Sequence, residues 1–378
     1  MRKEIVRRQV AAMAEHGLDA IVCCSPENFA YTAGFVVPSQ PLIRHRHAMT
    51  IVDANGQTAV VGVDMEATTI TGRLPEVRSR IWREFSDDAM AVLADFLTEL
   101  GLAQARIGIE MDYLPAGDCA RLAAALPSAH LKPCESILAG LRQIKTPDEI
   151  TLLRRLSRIA DQAITDALSA VKAGDTELDI AGHMTQHLYT LGAENFKLMI
   201  VATGERSQFP NVGPSERKLR RGDVCRVEIF SVIGGYQAGV CRTAVVQEAP
   251  PHAERIWQHL VDCKYRIMEM VKPGASCLVI YNAFIAQLAE MDLPPISFVG
   301  HGIGLHLHED PYLGETPILG QPGSDAMLEA GMVLGFEPLC YRTGYGFGMQ
   351  NKDMLLVTGG GSELLSDYAN TDQLLVVE

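Results

Sequence analysis

An α+β fold preceded by a smaller α/β domain is predicted by three observations. A helix-helix-strand unit occurs twice at a spacing of one hundred residues, with Val171-Lys-Ala-Gly-Asp-Thr176 echoed by Val271-Lys-Pro-Gly-Ala-Ser276. The first ~140 residues instead alternate helical and strand-like patterns. A strong helix start at Thr146-Pro147 separates the two stretches. At roughly 150 residues per domain, a chain of 378 suits two domains, here 1–141 and 142–378.

Taken in order, a helix over 3–16 stops at Gly17, and short apolar strands follow at 20–24, 48–52 and 59–63. Helices over 88–100 and 119–126 and a strand-like run at 138–141 complete the first domain. Thr146 as N-cap, Pro147 at the first helical position and Asp148 and Glu149 in the first turn then open a helix that runs to about Val171. Strand-rich sequence follows each helix pair, at 197–202 and 224–246 and again at 333–339 and 354–357. A duplicated domain of this kind can hold a site between its halves.

Composition narrows the function classes. With 33 Lys+Arg against 46 Asp+Glu the net charge is −13, and basic runs never exceed pairs such as Arg7-Arg8, so neither nucleic acid nor an anionic membrane is expected as a partner. The 47% hydrophobic content excludes wholesale disorder. Nine cysteines without a CxxC pair, several inside apolar runs, read as reduced core residues. The N-terminus lacks a signal-type apolar core, and no run of 18 apolar residues occurs, so a cytoplasmic protein is expected.

Three segments carry candidate chemistry. The hairpin over 223–246 turns at Ile233-Gly234-Gly235, and a turn centred between 233 and 234 sets Glu228 opposite Gly239. The run Gly300-His301-Gly302-Ile303-Gly304-Leu305-His306-Leu307-His308-Glu309 delivers several imidazoles into a small volume. Its glycines lack the spacing of a dinucleotide loop. Glu337, in Val333-Leu-Gly-Phe-Glu337-Pro338, is a carboxylate in an apolar strand and needs a partner.

Together GGY…RT (234–243), GHGIGLxxHE (300–309), FEP (336–338) and DMLLVT (353–358) resemble the pita-bread superfamily of creatinase, prolidase and aminopeptidase P, the peptidase M24-like proteins. Residues 17–35 and 141–150 resemble the extra N-terminal domain of the prolidase and creatinase relatives. The resemblance implies a C-terminal pita-bread domain behind a creatinase N-terminal-like domain. It also implies, for the family's metallopeptidases, a cage of two Asp, one His and two Glu around two divalent cations.

Carried over, the cage falls on Glu228, Gly239, His301, Glu337 and Lys352, of which only His301 and Glu337 keep the family's identity. Gly239 has no side chain and Lys352 offers an ammonium without a lone pair, so no dinuclear metal site and no cofactor are expected. Asp353 points to the other face of its strand and cannot take over. Creatinase, and ectoine hydrolase, are nearest in logic. By offset Arg46 matches a substrate-carboxylate arginine, Glu337 a substrate-binding glutamate, and Cys241 stands where a second glutamate would be. The general-base histidine falls on Asn211, which cannot move a proton.

The expectation is a metal-independent hydrolase of a C–N bond in a small polar substrate: an amide, a cyclic amidine such as ectoine, or a guanidino or ureido acid. His308 acts as general acid/base, His301 handles or orients a proton, and Glu337 orients water or binds a cationic nitrogen. Lys352 and Glu228 form a charge pair in the metals' place, with Lys352 available to a developing oxyanion. Asn211 donates a hydrogen bond, and Arg46 holds a substrate carboxylate, reaching the neighbouring site of a homodimer. Cys241 is either a nucleophile or an inert buried thiol. Competing readings are an Xaa-Pro peptidase with a reduced metal site on His301, Glu337 and Glu228, a non-catalytic binding protein, and a decayed site in which Lys352 only neutralises carboxylates. Loops 36–47 and 310–324 are expected to shape the pocket.

Overall fold

Gly17 ends the first helix by adopting the left-handed conformation, φ 62°, and returning its N–H to the Met13 carbonyl. The computed structural model describes residues 1–315 and 324–378. They divide into two compact units, Met1–Arg142 and Gln143–Glu378.

In the first unit, α1 (Lys3–His16), β1 (Ala20–Cys23), α2 (Pro26–Ala33), β2 (Met49–Asp53) and β3 (Thr58–Val63) are followed by α3 (Ala67–Arg73) and β4 (Arg78–Trp82). Then come α4 (Ala89–Glu99), β5 (Arg106–Ile109), α5 (Ala116–Ala125), β6 (His130–Pro133) and α6 (Glu135–Gln143). The six strands form one mixed sheet in the order β4-β3-β2-β1-β5-β6. Successive residues of β1 serve opposite faces: Val22 packs with Leu93 and Phe96 of α4, whereas Ile21 and Cys23 pack with Val6 and Met13 of α1. Helices on both faces explain why these strands read as continuous apolar runs. The strand expected at 138–141 is instead part of α6, where Leu138 and Arg142, four apart, are the buried positions of one helical face.

The second unit opens as expected. Thr146 caps α7 (Pro147–Ser169) in a reciprocal box with Glu149, and Thr176 caps α8 (Glu177–Thr190) with Asp179 in the same way. β7 (Asn195–Thr203), β8 (Val224–Ile233) and β9 (Tyr236–Val246) follow, then α9 (Ala253–Met270) and α10 (Cys277–Ala289) with Ser276 as its cap. The remaining elements are β10 (Phe298–Gly302), β11 (Glu309–Gly314), β12 (Val333–Phe336), β13 (Leu339–Cys340), β14 (Met349–Gln350), β15 (Asp353–Thr358), β16 (Gly361–Leu364) and β17 (Leu375–Val377).

Two main sheets result, β17-β9-β8-β7 and β11-β10-β12-β15-β16. The duplication extends to single backbone bonds. Gly174 donates to the Leu219 carbonyl and Leu219 back to Asp175, while Gly274 donates to Leu328 and Leu328 back to Ala275. Part of the loop expected at 310–324 is strand β11, and its residues 316–323 lie outside the described residues. Among the described residues no helix is long and apolar enough to cross a membrane.

Candidate active site

The β8–β9 hairpin sets the first wall of the site. Gly234 and Gly235 both take positive φ, 59° and 87°, and close a two-residue turn, so Ile233 pairs with Tyr236. This corrects the expected register: Glu228 faces Cys241, and Gly239 faces Phe230. A β-carbon on Gly239 would fall 2.4 Å from the Phe230 ring, so that aromatic side chain fills the space beside the glycine.

Lys352 arrives from the other sheet. Its backbone is clipped to β9 by paired bonds with Cys241, N–H to carbonyl in both directions at 3.1 and 3.3 Å. Cys241 is also the cross-strand partner of Glu228, which brings the ammonium to that carboxylate. Lys352 Nζ lies 3.0 Å from Glu228 Oε1, 3.1 Å from Glu337 Oε1 and 3.5 Å from His301 Nε2, and it stands 4.5 Å from the centre of the Phe230 ring. The ammonium is 2% exposed and the two carboxylates hardly more, so the group is an internal ion cluster.

β10 and β12 supply His301 and Glu337. His301 pairs with Gly335, and a β-carbon at 335 would sit 3.0 Å from the imidazole, so glycine lets the ring lie flat against the strand. Nδ1 of His301 donates to the Gly302 carbonyl at 2.8 Å, and Nε2 lies 3.0 Å from Glu337 Oε1. Burial pushes the Glu337 carboxyl up, but Lys352 and then His301 outweigh it and hold the group below the usual carboxylate range. Burial likewise pulls the Lys352 ammonium down, and Glu228 and Glu337 more than reverse this. Both residues are therefore ionised at neutral pH.

His308 stacks on His301 with ring centres 3.8 Å apart and planes 9° from parallel. Its Nδ1 meets the Tyr312 hydroxyl, and Phe298 presents its edge to both imidazoles. Burial, followed by the nearby His301 and Lys352, lowers the His308 imidazole to about 3, so it is neutral near pH 7. It is half-buried, which makes it more open to solvent than His301.

Further side chains, none of them among the expected site residues, hold this cluster. Gln350 donates from Nε2 to Glu337 Oε2 at 2.8 Å and accepts at Oε1 from Arg226 at 3.0 Å. Behind Lys352, Arg242 binds the Lys352 carbonyl at 2.7 Å, Asp161 at 2.7 Å and Asp353 at 2.9 Å. Lys264 also pairs with Asp353, so Asp353 faces away from Glu228 and Glu337, as strand alternation predicts. An arginine at 226 inside an apolar strand carried the same signal that marked Glu337.

Three other residues were expected at the site: Asn211, Cys241 and Arg46. Asn211 is exposed in the loop before β8. Cys241 is fully buried, and burial, then Glu228, push its thiol well above the ordinary range, which argues against a nucleophile. Arg46 belongs to the first unit, where Nε and Nη2 grip Glu84 at 2.8 and 2.9 Å, so its fork is already filled by a carboxylate.

As a cage for two divalent cations the donor set does not fit. Gly239 has neither a donor nor room for one, and Lys352 places an ammonium among the remaining carboxylates. Among the described residues no three His, Cys, Asp or Glu side chains come together so as to hold a metal ion.

The chain matches the family model for metallopeptidase family M24 over residues 151–359 and that for the creatinase/prolidase N-terminal domain over residues 6–144. It is 24% identical to the creatinase of Bacillus sp. (strain B-0618), covering 97% of this chain and 91% of that protein. To the Xaa-Pro dipeptidase of Pyrococcus furiosus it is 25% identical, covering 96% of this chain and 98% of that protein. Among solved structures, the Xaa-Pro dipeptidase from Bacillus anthracis superposes with a TM-score of 0.84 at 23% identity, covering 99% of both chains.

Proposed function

The chain belongs to metallopeptidase family M24, and from that membership we propose that it is a C–N hydrolase that acts on a small polar substrate without a metal ion. The observation that carries the metal-free reading is the Lys352 ammonium, 3.0 Å from Glu228 and 3.1 Å from Glu337, among positions where the family's metallopeptidases gather ligands. It supplies internally the positive charge that two buried carboxylates need.

The two carboxylates take different roles. Glu337 has Oε1 against Lys352 and His301 and Oε2 bonded to Gln350, so it anchors the cluster. Glu228 gives Oε1 to Lys352, and its other oxygen has no hydrogen-bond partner among the described residues. That oxygen orients water or takes a cationic substrate nitrogen. His308, neutral and half-buried, accepts the proton of the attacking water. The imidazolium so formed passes that proton on to the leaving nitrogen. His301, stacked beneath, fixes the ring plane of His308. The proposed setting is the cytoplasm, as a homodimer, in keeping with nine cysteines that are all free thiols.

Metal analysis of protein purified without chelator, joined to turnover of amides, cyclic amidines, guanidino and ureido acids and Xaa-Pro dipeptides, tests the reading. The expected result is hydrolysis of a non-peptide substrate, unaffected by chelator, by protein holding far less than one metal per chain. About two Mn, Co or Zn per chain, with activity lost on their removal, would sink it in favour of an Xaa-Pro peptidase.

A further inference from the structure

Arg226 is fully buried on β8, two residues before Glu228 and on the same face. Among the described residues it has no carboxylate partner. Its guanidinium instead binds backbone carbonyls of the loop before β8: Nε to Ser207 at 3.1 Å, and Nη2 to Phe209 and to Pro210, the latter at 3.0 Å. The remaining bond runs from Nη1 to Gln350 Oε1 at 3.0 Å. This bond fixes the amide, because an oxygen turned to Arg226 leaves Nε2 facing Glu337 Oε2 at 2.8 Å. The backbone of Gln350 is anchored as well, its N–H donating to the Thr243 hydroxyl at 3.2 Å and its carbonyl accepting from that hydroxyl at 2.9 Å.

A buried cation held by neutral dipoles and the face of the Tyr341 ring, 5.0 Å from its centre, is costly without a carboxylate, and packing alone would be served by an aliphatic side chain. What the guanidinium adds is a line of oriented bonds from the loop carbonyls through Arg226 and Gln350 to Glu337, whose other oxygen, Oε1, lies 3.0 Å from His301 Nε2. The loop it holds leads directly to Asn211, and its Phe209 is 54% exposed, so the outer end of the line stands in solvent and the inner end in the ion cluster.

We propose that Arg226 and Gln350 are positioning residues that tie the loop from Ser207 to Asn211 to the placement of Glu337, so that ordering of this rim and alignment of the cluster occur together. The kinetic part of the test rests on the hydrolase reading, whereas the spectroscopic part does not. Arg226→Met, Gln350→Met and the double variant are compared with the parent by amide exchange across 207–211 and by the ring resonances of His301 at one pH. Arg226→Met is expected to speed exchange in the loop about tenfold or more, because bonds to a charged donor are lost, and Gln350→Met to leave it nearly unchanged. Both variants shift the His301 resonances, and the double variant shifts them no further than Gln350→Met does.

If Arg226→Met leaves His301 unmoved, or the two shifts add, Arg226 only packs the strand and the proposal falls. Should Arg226→Met fail to fold, Arg226→Lys gives the same readings, since a lysine keeps the charge but cannot span both the loop and Gln350. On a substrate that turns over, Gln350→Met lowers kcat with KM little changed, while Arg226→Met alters both. A parent enzyme without turnover on any substrate counts against the hydrolase reading, and the resonances still decide the relay.

Discussion

The ring of Phe230 lies so close over Gly239 that a β-carbon there would fall 2.4 Å from it. Both residues are fixed by the hairpin register, and the ring also carries Lys352 on its face at 4.5 Å. Gly239→Ala is therefore expected to cost about 1–3 kcal/mol by overpacking, read as a lower urea midpoint. Gly239→Asp costs at least as much, and shrinking the ring with Phe230→Ala recovers part of the loss by making room. If the alanine is accepted without a change in midpoint, the ring moves freely and does not fill this space.

Removing the ammonium exposes what it neutralises. Lys352→Met leaves Glu228 and Glu337 buried with no cation between them and is expected to destabilise the second unit by about 3–5 kcal/mol near neutral pH. The penalty shrinks on acidification, because a carboxyl freed from Lys352 is raised by burial and can take up a proton. Thermal unfolding at two pH values measures both effects, and a penalty that grows in acid would overturn the assignment.

The pH dependence of the parent protein follows from the same groups. His308 is held at about 3 against 6.5 for the free imidazole, so between those values the unfolded chain binds a proton that the folded chain does not. Stability is complete above about pH 6.5 and declines as pH falls. Asp353, lowered to about 2 from 3.8 because Arg242 and Lys264 outweigh its burial, and Glu337, lowered from 4.5, steepen the decline below about pH 4.5. His308→Asn should flatten the upper part of the curve without abolishing it, since burial also lowers His47 in the first unit. Urea midpoints at about pH 7 and about pH 5 provide the comparison.

Turnover should separate the two glutamates. His308→Asn and Glu228→Gln are expected to lower kcat by roughly 100-fold to 10,000-fold, as loss of a proton-transferring or water-orienting group does. Glu337→Gln leaves an amide between Lys352 and Gln350 and should lower melting temperature as well as kcat, in keeping with an anchoring role. Comparable stability loss in Glu228→Gln and Glu337→Gln would argue that both are anchors.

Much of the fold was legible because its signals are local. Capping boxes at Thr146 and Thr176, the glycine stop at 17 and the echo of residues 171–176 in 271–276 each depend on a few neighbouring residues. β4 and β6 were not, because Arg78–Trp82 and His130–Pro133 are short, mostly polar edge strands without a full apolar alternation. The hairpin register slipped because it turns on which residues take positive φ, and Ile233-Gly234-Gly235 allows more than one choice. Within the site, Lys352 could be singled out by comparison with a motif. Arg226 and Gln350, separated by 124 residues, acquire their meaning only from a contact that sequence spacing does not encode.

Glu228 lies in the first repeat and Lys352 in the second, and they meet at 3.0 Å. Whatever ancestor was copied to make the two halves, their central residues can no longer drift separately: an acidic replacement at 352 demands a compensating change at 228, or a counter-ion from outside. Sequences descended from this lineage should therefore vary these two positions in concert, and a recombinant that exchanged one half with a metal-binding cousin would inherit a mismatched charge at its centre.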